Sequence, residues 1–167
     1  MPKIISPERL GGALSEVLKE YSHLSKAKTN RAIKKTVVRV WGNIIKMTPV
    51  GNPDLWLYKH PTRGYIDYVG YLGKPDGYVG GRARNNWFVG MSVGSEVTTE
   101  TGKKGSAYIS KSLPKDVLNN RLFLYNNLPY ITRLEYGHSS QAPKGMVRKS
   151  LLGWRKELQK QFKEAHK

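Results

Sequence analysis

The chain has 167 residues, with 29 Lys and Arg against 12 Asp and Glu, a formal net charge of +17 at pH 7, and no cysteine. That length suits a single domain over 1–167 that buries its own core without disulfides or metals, and the missing Cys excludes a disulfide framework and any Cys-ligated metal centre. The charge excess implies an anionic partner, with nucleic acid first, an acidic protein surface second and anionic lipid a distant third; a merely soluble basic surface is the plain alternative.

No apolar run approaches the roughly 20 residues of a membrane span, so no membrane partner is expected. The opening "MPKIISPERLGG" lacks the apolar centre of a signal peptide, so no export is expected either. The first predicted helix lies within residues 1–25. Leu10, Leu14, Val17, Leu18 and Tyr21 recur at helical spacing, and Ser6-Pro7-Glu8 is a favourable start. Gly11 and Gly12 weaken this helix.

The second predicted helix covers residues 30–47. Ile33, Val37, Val40, Trp41 and Ile44 form its apolar stripe, and Thr48-Pro49 ends it, because Pro disfavours helix in the residue before it. Lys28, Arg31, Lys35, Arg39 and Lys46 fall on the opposite side, giving one core face and one basic face.

Strands follow. "GYIDYVGYL" (64–72) is Tyr-rich and β-branched, and "KPDG" (74–77) is a turn signal. "NNWFVGMSV" (85–93) alternates Trp87, Val89, Met91 and Val93 on one face, and "RLFLYNN" (121–127) is a further strand. Between them "TETGKKGSA" (99–107), with Lys103 and Lys104, reads as a mobile basic loop.

"LPYITRLEYG" (128–137) predicts a short helix with Pro129 in its first turn, Tyr130 and Leu134 inward and Gly137 as its cap. The last helix is expected to run unbroken from Gly145 to the C-terminus. Val147, Leu151, Trp154, Leu158 and Phe162 share one face, and Lys149, Lys156, Lys160, Lys163 and Lys167 lie opposite. The expected architecture is α+β: an antiparallel sheet packed by the long central helix and the C-terminal helix. Trp87 and Trp154 are expected in the core, joining the sheet to the last helix.

Catalytic motifs are scarce. A metal-dependent nuclease needs clustered carboxylates, often an acid, any residue, then Lys; none of the acids here has Lys two positions later. Asp54 and Asp76 follow Pro, as turn residues do. His23, His60, His138 and His166 show no paired ligand spacing, and "GYVGGRAR" lacks phosphate-loop spacing. Glu135 and His138 are three apart and could act as an acid/base pair. Glu135, however, sits in the last turn of its helix, where the dipole disfavours an acid, so an Arg partner from its own or a neighbouring subunit is the expectation. No cofactor and no metal are expected, and the chain reads as not an enzyme.

Four pieces of the chain, in order, carry a family resemblance. They are Thr48-Pro49-Val50; Gly81-Arg82-Ala83-Arg84-Asn85-Asn86-Trp87; Tyr130 with Leu134-Glu135-Tyr136-Gly137; and Pro143-Lys144-Gly145-Met146-Val147-Arg148. Across roughly 30–155 the chain resembles the tail-completion family of tailed bacteriophages, also called minor tail or head–tail joining (neck) proteins. The resemblance implies a non-enzymatic protein of the virion neck or upper tail, assembled in the host cytoplasm as an oligomeric ring around the DNA path. The implied partners are a connector/adaptor or head-closure protein and a tail terminator or tail tube protein, with contact to packaged DNA.

One departure from the family pattern is visible. Many members run from Thr-Pro-Val almost directly into Gly-Arg, whereas Gly51–Gly80 intervene here. That insertion, with Trp56, Tyr58, Tyr65, Tyr68 and Tyr71, is expected to be an extra hairpin that contacts a neighbour; burial of its Tyr residues within its own subunit is the alternative. Candidate partner or DNA contacts are Lys35, Arg39, Trp56, Tyr65, Lys103, Lys104, Lys156 and Lys160. The competing functions are a basic DNA- or RNA-binding protein without catalysis and, weakest, a nuclease.

Overall fold

The computed structural model describes residues 7–22, 24–51, 57–60, 64–67, 79–99 and 104–167. In chain order these form α1 (Pro7–Glu20), α2 (Lys26–Met47), β1 (Leu57–His60), β2 (Gly64–Asp67), α3 (Arg82–Asn85), β3 (Phe88–Gly90), α4 (Ser106–Ser112), β4 (Phe123–Tyr125), α5 (Ile131–Glu135), α6 (Val147–Leu151) and α7 (Trp154–His166). The fold mixes helix and strand, and the long α2 packs against the C-terminal α7.

α2 begins at Lys26, four residues before the position expected from its apolar stripe, because Ser25 caps it. The Ser25 hydroxyl accepts from Lys28 N at 3.4 Å and takes up a backbone donor that the first turn leaves without a partner. At the other end Thr48 is extended (φ −62°, ψ 125°), as a residue before Pro must be. The buried face of α2 is wider than the predicted stripe. Ala32, Thr36 and Ile45 are buried beside Val40 and Ile44, because α4, α6 and α7 cover the helix from more than one side.

Two cores lie along α2. The first gathers Ile44, Ile45, Trp87, Ile109, Leu113 and Met146. The second gathers Val17, Tyr21, Ala32, Leu158 and Phe162, with the rings of Tyr21 and Phe162 stacked at 5.0 Å between centroids. Trp87 and Trp154 therefore do not meet. Trp87 is buried in the first core, whereas Trp154 is half-buried against the second.

The expected unbroken C-terminal helix is divided by Leu152 and Gly153 into α6 and α7. Gly153 adopts φ −100°, ψ −2° and serves as the N-cap of α7. The break has a physical reason: Val147 of α6 packs on the first core, while Leu158 and Phe162 of α7 build the second. Gly at the junction costs the helix about 1 kcal/mol relative to Ala, which makes the break cheap.

The sheet is smaller than expected. β3 pairs antiparallel with β4 in the register Phe88↔Tyr125, Val89↔Leu124, Gly90↔Phe123. Asn85 belongs to α3, and the ladder stops at Gly90, so Met91 and Val93 are exposed instead of sharing a buried face with Trp87. β1 pairs antiparallel with β2, with Lys59 opposite Tyr65. Trp56, Tyr68, Tyr71 and the rest of the expected strand over 68–72 lie outside the described residues.

The expected basic loop over 99–107 is also revised. Its end is the start of α4, whose Ile109 is fully buried in the first core. Lys104 is held in place: its Nζ donates to Trp87 O at 3.2 Å and sits 3.8 Å from the Phe88 ring centroid and 4.7 Å from that of Tyr108. Lys103 lies outside the described residues.

Candidate functional site: the motif core and the basic face

The first two sequence pieces meet at the C-terminal end of α2. The Thr48 hydroxyl donates to Ile44 O at 2.8 Å and accepts from the Trp87 indole Nε1 at 2.8 Å. Arg84 Nη2 donates to Lys46 O and Thr48 O, both at 2.9 Å. A helix end leaves carbonyls without intrahelical donors and carries partial negative charge, so a guanidinium placed there answers both needs. Pro49, the next residue, is buried as well. Gly81 is the N-cap of α3, which presents Arg82 and Arg84; Arg82 Nε reaches Thr98 O at 3.4 Å. These residues form a single helical turn, which takes Asn85 from the start of the expected strand. The role of the turn is to bring Arg84 and Trp87 to Thr48.

The last two pieces meet at the start of α6. Glu135 Oε2 accepts from Met146 N at 2.9 Å and Val147 N at 2.8 Å, and Oε1 accepts from Arg148 N at 2.9 Å. Arg148 Nε closes an ion pair with the same Oε1 at 3.1 Å, and its Nη2 donates to Glu135 O. The acid that looked misplaced at the end of α5 is therefore the cap of α6, and its Arg partner comes from its own chain. The backbone must come very close for this to work. Gly145 (φ +76°) has no room for a side chain: an added Cβ would lie 2.3 Å from Glu135 O. At Gly137 (φ +87°) it would lie 2.6 Å from Pro143 O. Tyr136 is exposed, with the Arg148 guanidinium carbon 4.9 Å from its ring centroid. Tyr130, expected inward, is exposed because it precedes α5 as its N-cap.

The two junctions are joined. The Gln141 side chain pairs with the Val50 backbone, accepting from its N at 3.1 Å and donating to its O at 2.7 Å. Met146, fully buried, shares the first core with Trp87, Ile44 and Ile45. Asn86, also fully buried, exchanges two hydrogen bonds with the Thr98 backbone, each 2.9 Å. Asn86 and Gln141 were not singled out from the sequence. A side-chain amide that replaces a backbone partner leaves no periodic mark; only the Asn85-Asn86 doublet before Trp87 hints at it.

Glu135 and His138 do not form a catalytic pair. Both Glu135 oxygens are engaged in the α6 cap, while His138 is exposed and its backbone N donates to Arg133 O at 3.1 Å. Among the described residues no group of three or more His, Cys, Asp or Glu side chains is placed to hold a metal ion. None of the described helices is long and apolar enough to cross a membrane.

The remaining candidates lie on a basic surface formed by α2 and α7. Lys28, Arg31, Lys35, Arg39 and Lys46 are exposed along α2, and Lys149, Lys156, Lys160, Lys163 and Lys167 are exposed along α6 and α7. A shallow groove of about 380 Å³ runs between the helices, with Arg31, Lys35 and Arg39 on one bank, Gln161 and Glu164 on the other, and Ser110 at its side. Arg39 Nη1 is 3.2 Å from Glu157 Oε1, so part of its charge is neutralised within the chain. Lys160 Nζ lies 4.0 Å from Glu164 Oε1.

The class these features define is a basic α+β protein whose sequence motifs build its core and whose charge lies on two packed helices. Comparison of the chain with protein-family models, with curated proteins and with solved structures gave no match.

Proposed function

We propose that the chain is a structural, non-enzymatic protein of a tailed-phage virion, of the tail-completion or neck class. In this reading it assembles in the host cytoplasm as an oligomeric ring around the DNA path. It then bridges a connector or head-closure protein and a tail terminator or tail tube protein.

One observation carries the reading: each of the four resembling pieces supplies a residue to the two junctions that hold helix ends together. Arg84 caps α2, Trp87 bonds Thr48, Glu135 caps α6, and Gly145 makes room for it. Residues used in this way support a shared scaffold in place of a reaction centre, and a scaffold role agrees with a ring subunit.

The 51–80 stretch fits the same reading as an inserted hairpin. The backbones of Gly51 and Gly80 touch, since a Cβ on Gly80 would fall 2.0 Å from Gly51 O. A segment whose two ends meet can be added to a scaffold without moving it. Within it β1 and β2 pair antiparallel, and the interface role proposed for it falls to Trp56 and Tyr65.

The deciding experiment is electron microscopy of phage particles made without the chain. The expected result is filled heads and finished tails that remain separate and join when purified protein is added. Normal joined, infectious particles in its absence would overturn the proposal.

A further inference from the structure

We infer that the α2–α7 surface binds duplex DNA through its phosphate backbone, without reading sequence. This inference stands on the charged groove and not on the neck reading. It names the ligand of the groove, whichever assembly the chain belongs to.

The first argument is spacing. Lys28, Arg31, Lys35 and Arg39 recur every three or four residues on the exposed side of α2. At 1.5 Å rise per residue, successive cations stand about 4.5–6 Å apart along the helix axis. Phosphates on each strand of a duplex advance 3.4 Å per nucleotide along the axis, so a helix inclined to the groove meets them at comparable intervals. Beyond the groove's α7 bank, Lys156, Lys160 and Lys163 form a second row of similar repeat along α7, lining a neighbouring concavity that shares Glu164 with the groove.

The second argument is chemistry. The lining is mostly cationic, with one carboxylate, Glu164, beside Gln161, Ser110, small side chains such as Ala32, and Val38. No Trp, Tyr or Phe is among the described residues that line the groove. Single-stranded nucleic acid is held by bases stacked on aromatic rings, so this lining favours paired over unpaired strands. An acidic protein would need apolar or aromatic anchors, because hot spots and not charge alone carry protein–protein affinity. Backbone contacts made by Lys, Arg, Ser and Gln suffice for a duplex.

Two carboxylates oppose the ligand. Glu157 is balanced by Arg39 at 3.2 Å, while Glu164 has Lys160 at the longer distance of 4.0 Å. Glu164 therefore acts as a local brake on phosphate binding, and Glu164→Gln should tighten it.

The test is fluorescence anisotropy of a labelled random-sequence duplex titrated with the full chain over a series of NaCl concentrations. Binding is expected at low salt, weakening log-linearly with salt at a slope of about −0.9 per phosphate engaged. Arg31→Glu/Lys35→Glu should weaken binding by about tenfold or more and flatten the slope by roughly two contacts. Lys144→Glu, an exposed reversal in the 138–146 connector, should do neither. Melting curves check that each variant is folded. Absence of binding at low salt would overturn the inference. So would an equal effect of the Lys144 reversal, tighter binding of the matching single strand, or equal competition by polyglutamate at the same charge concentration.

Discussion

The Trp87 indole donates to the Thr48 hydroxyl at 2.8 Å across the closed end of α2, with both side chains buried. Thr48 passes the interaction on by donating to Ile44 O at 2.8 Å. Thr48→Val keeps the shape and removes the hydroxyl, leaving a buried indole N–H without its acceptor. The expected cost is about 1–3 kcal/mol, read as a lower denaturation midpoint with unchanged slope in urea. Thr48→Ser should retain most of the stability.

Glu135→Ala should be more damaging than an ordinary surface change. It removes the acceptor for three backbone N–H groups of α6 and leaves Arg148 without its carboxylate. Loss of a cap costs about 0.5–2 kcal/mol, and loss of one member of a partly buried pair adds to it. Gly145→Ala should fail in the same assay, because its Cβ would strike Glu135 O. Thermal melts of both variants, compared with Arg133→Ala as an exposed control, check this.

The two cores make different demands on α7. Phe162 is fully buried and stacked on Tyr21, so Phe162→Ala should cost about 3–5 kcal/mol. Trp154 is half-buried at the edge of the same core. Trp154→Ala should therefore cost measurably less than Phe162→Ala in parallel chemical denaturation.

Asp116 predicts an acid limb in the stability profile. The Leu118 backbone N–H, at 3.0 Å from Oδ1, holds its carboxyl below the ordinary 3.8, with Asn119 and Lys26 acting in the same direction and desolvation opposing them. A carboxyl whose folded value is lowered contributes stability that is present above its unfolded value and is lost as pH falls through the folded one. Stability should therefore decline as pH drops below about 4, near the unfolded carboxylate value, and Asp116→Asn should make that decline shallower. Melting temperature measured from neutral to strongly acid pH is the check.

Since Gly51 and Gly80 already touch, deleting 52–79 with a short Gly-containing join should leave the melting temperature within a few degrees of the parent. A particle-completion assay on the same deletion tests the proposed interface role separately. Unimpaired completion would remove that role.

The sequence by itself determined much of the helical frame and where the charge would lie. Helical periodicity is a local property of the chain, so the apolar stripe ending in Ile44 and the exposed row Lys28, Arg31, Lys35 and Arg39 were both legible. Thr48-Pro49 marked the end of α2, because a proline restricts the residue before it regardless of context. An Arg partner for Glu135 could be inferred from the unfavourable dipole at its position.

Tertiary structure alone decided the rest. That Glu135 caps a helix eleven residues later depends on how α5 and α6 are brought together, which no local pattern encodes. Met91 and Val93 alternate correctly for a strand, yet a ladder extends only as far as its partner, and β3 ends where β4 does. The stripe from Val147 to Phe162 reads as one helix. Only the presence of two cores, each claiming its own end of that stripe, explains why the chain breaks at Gly153.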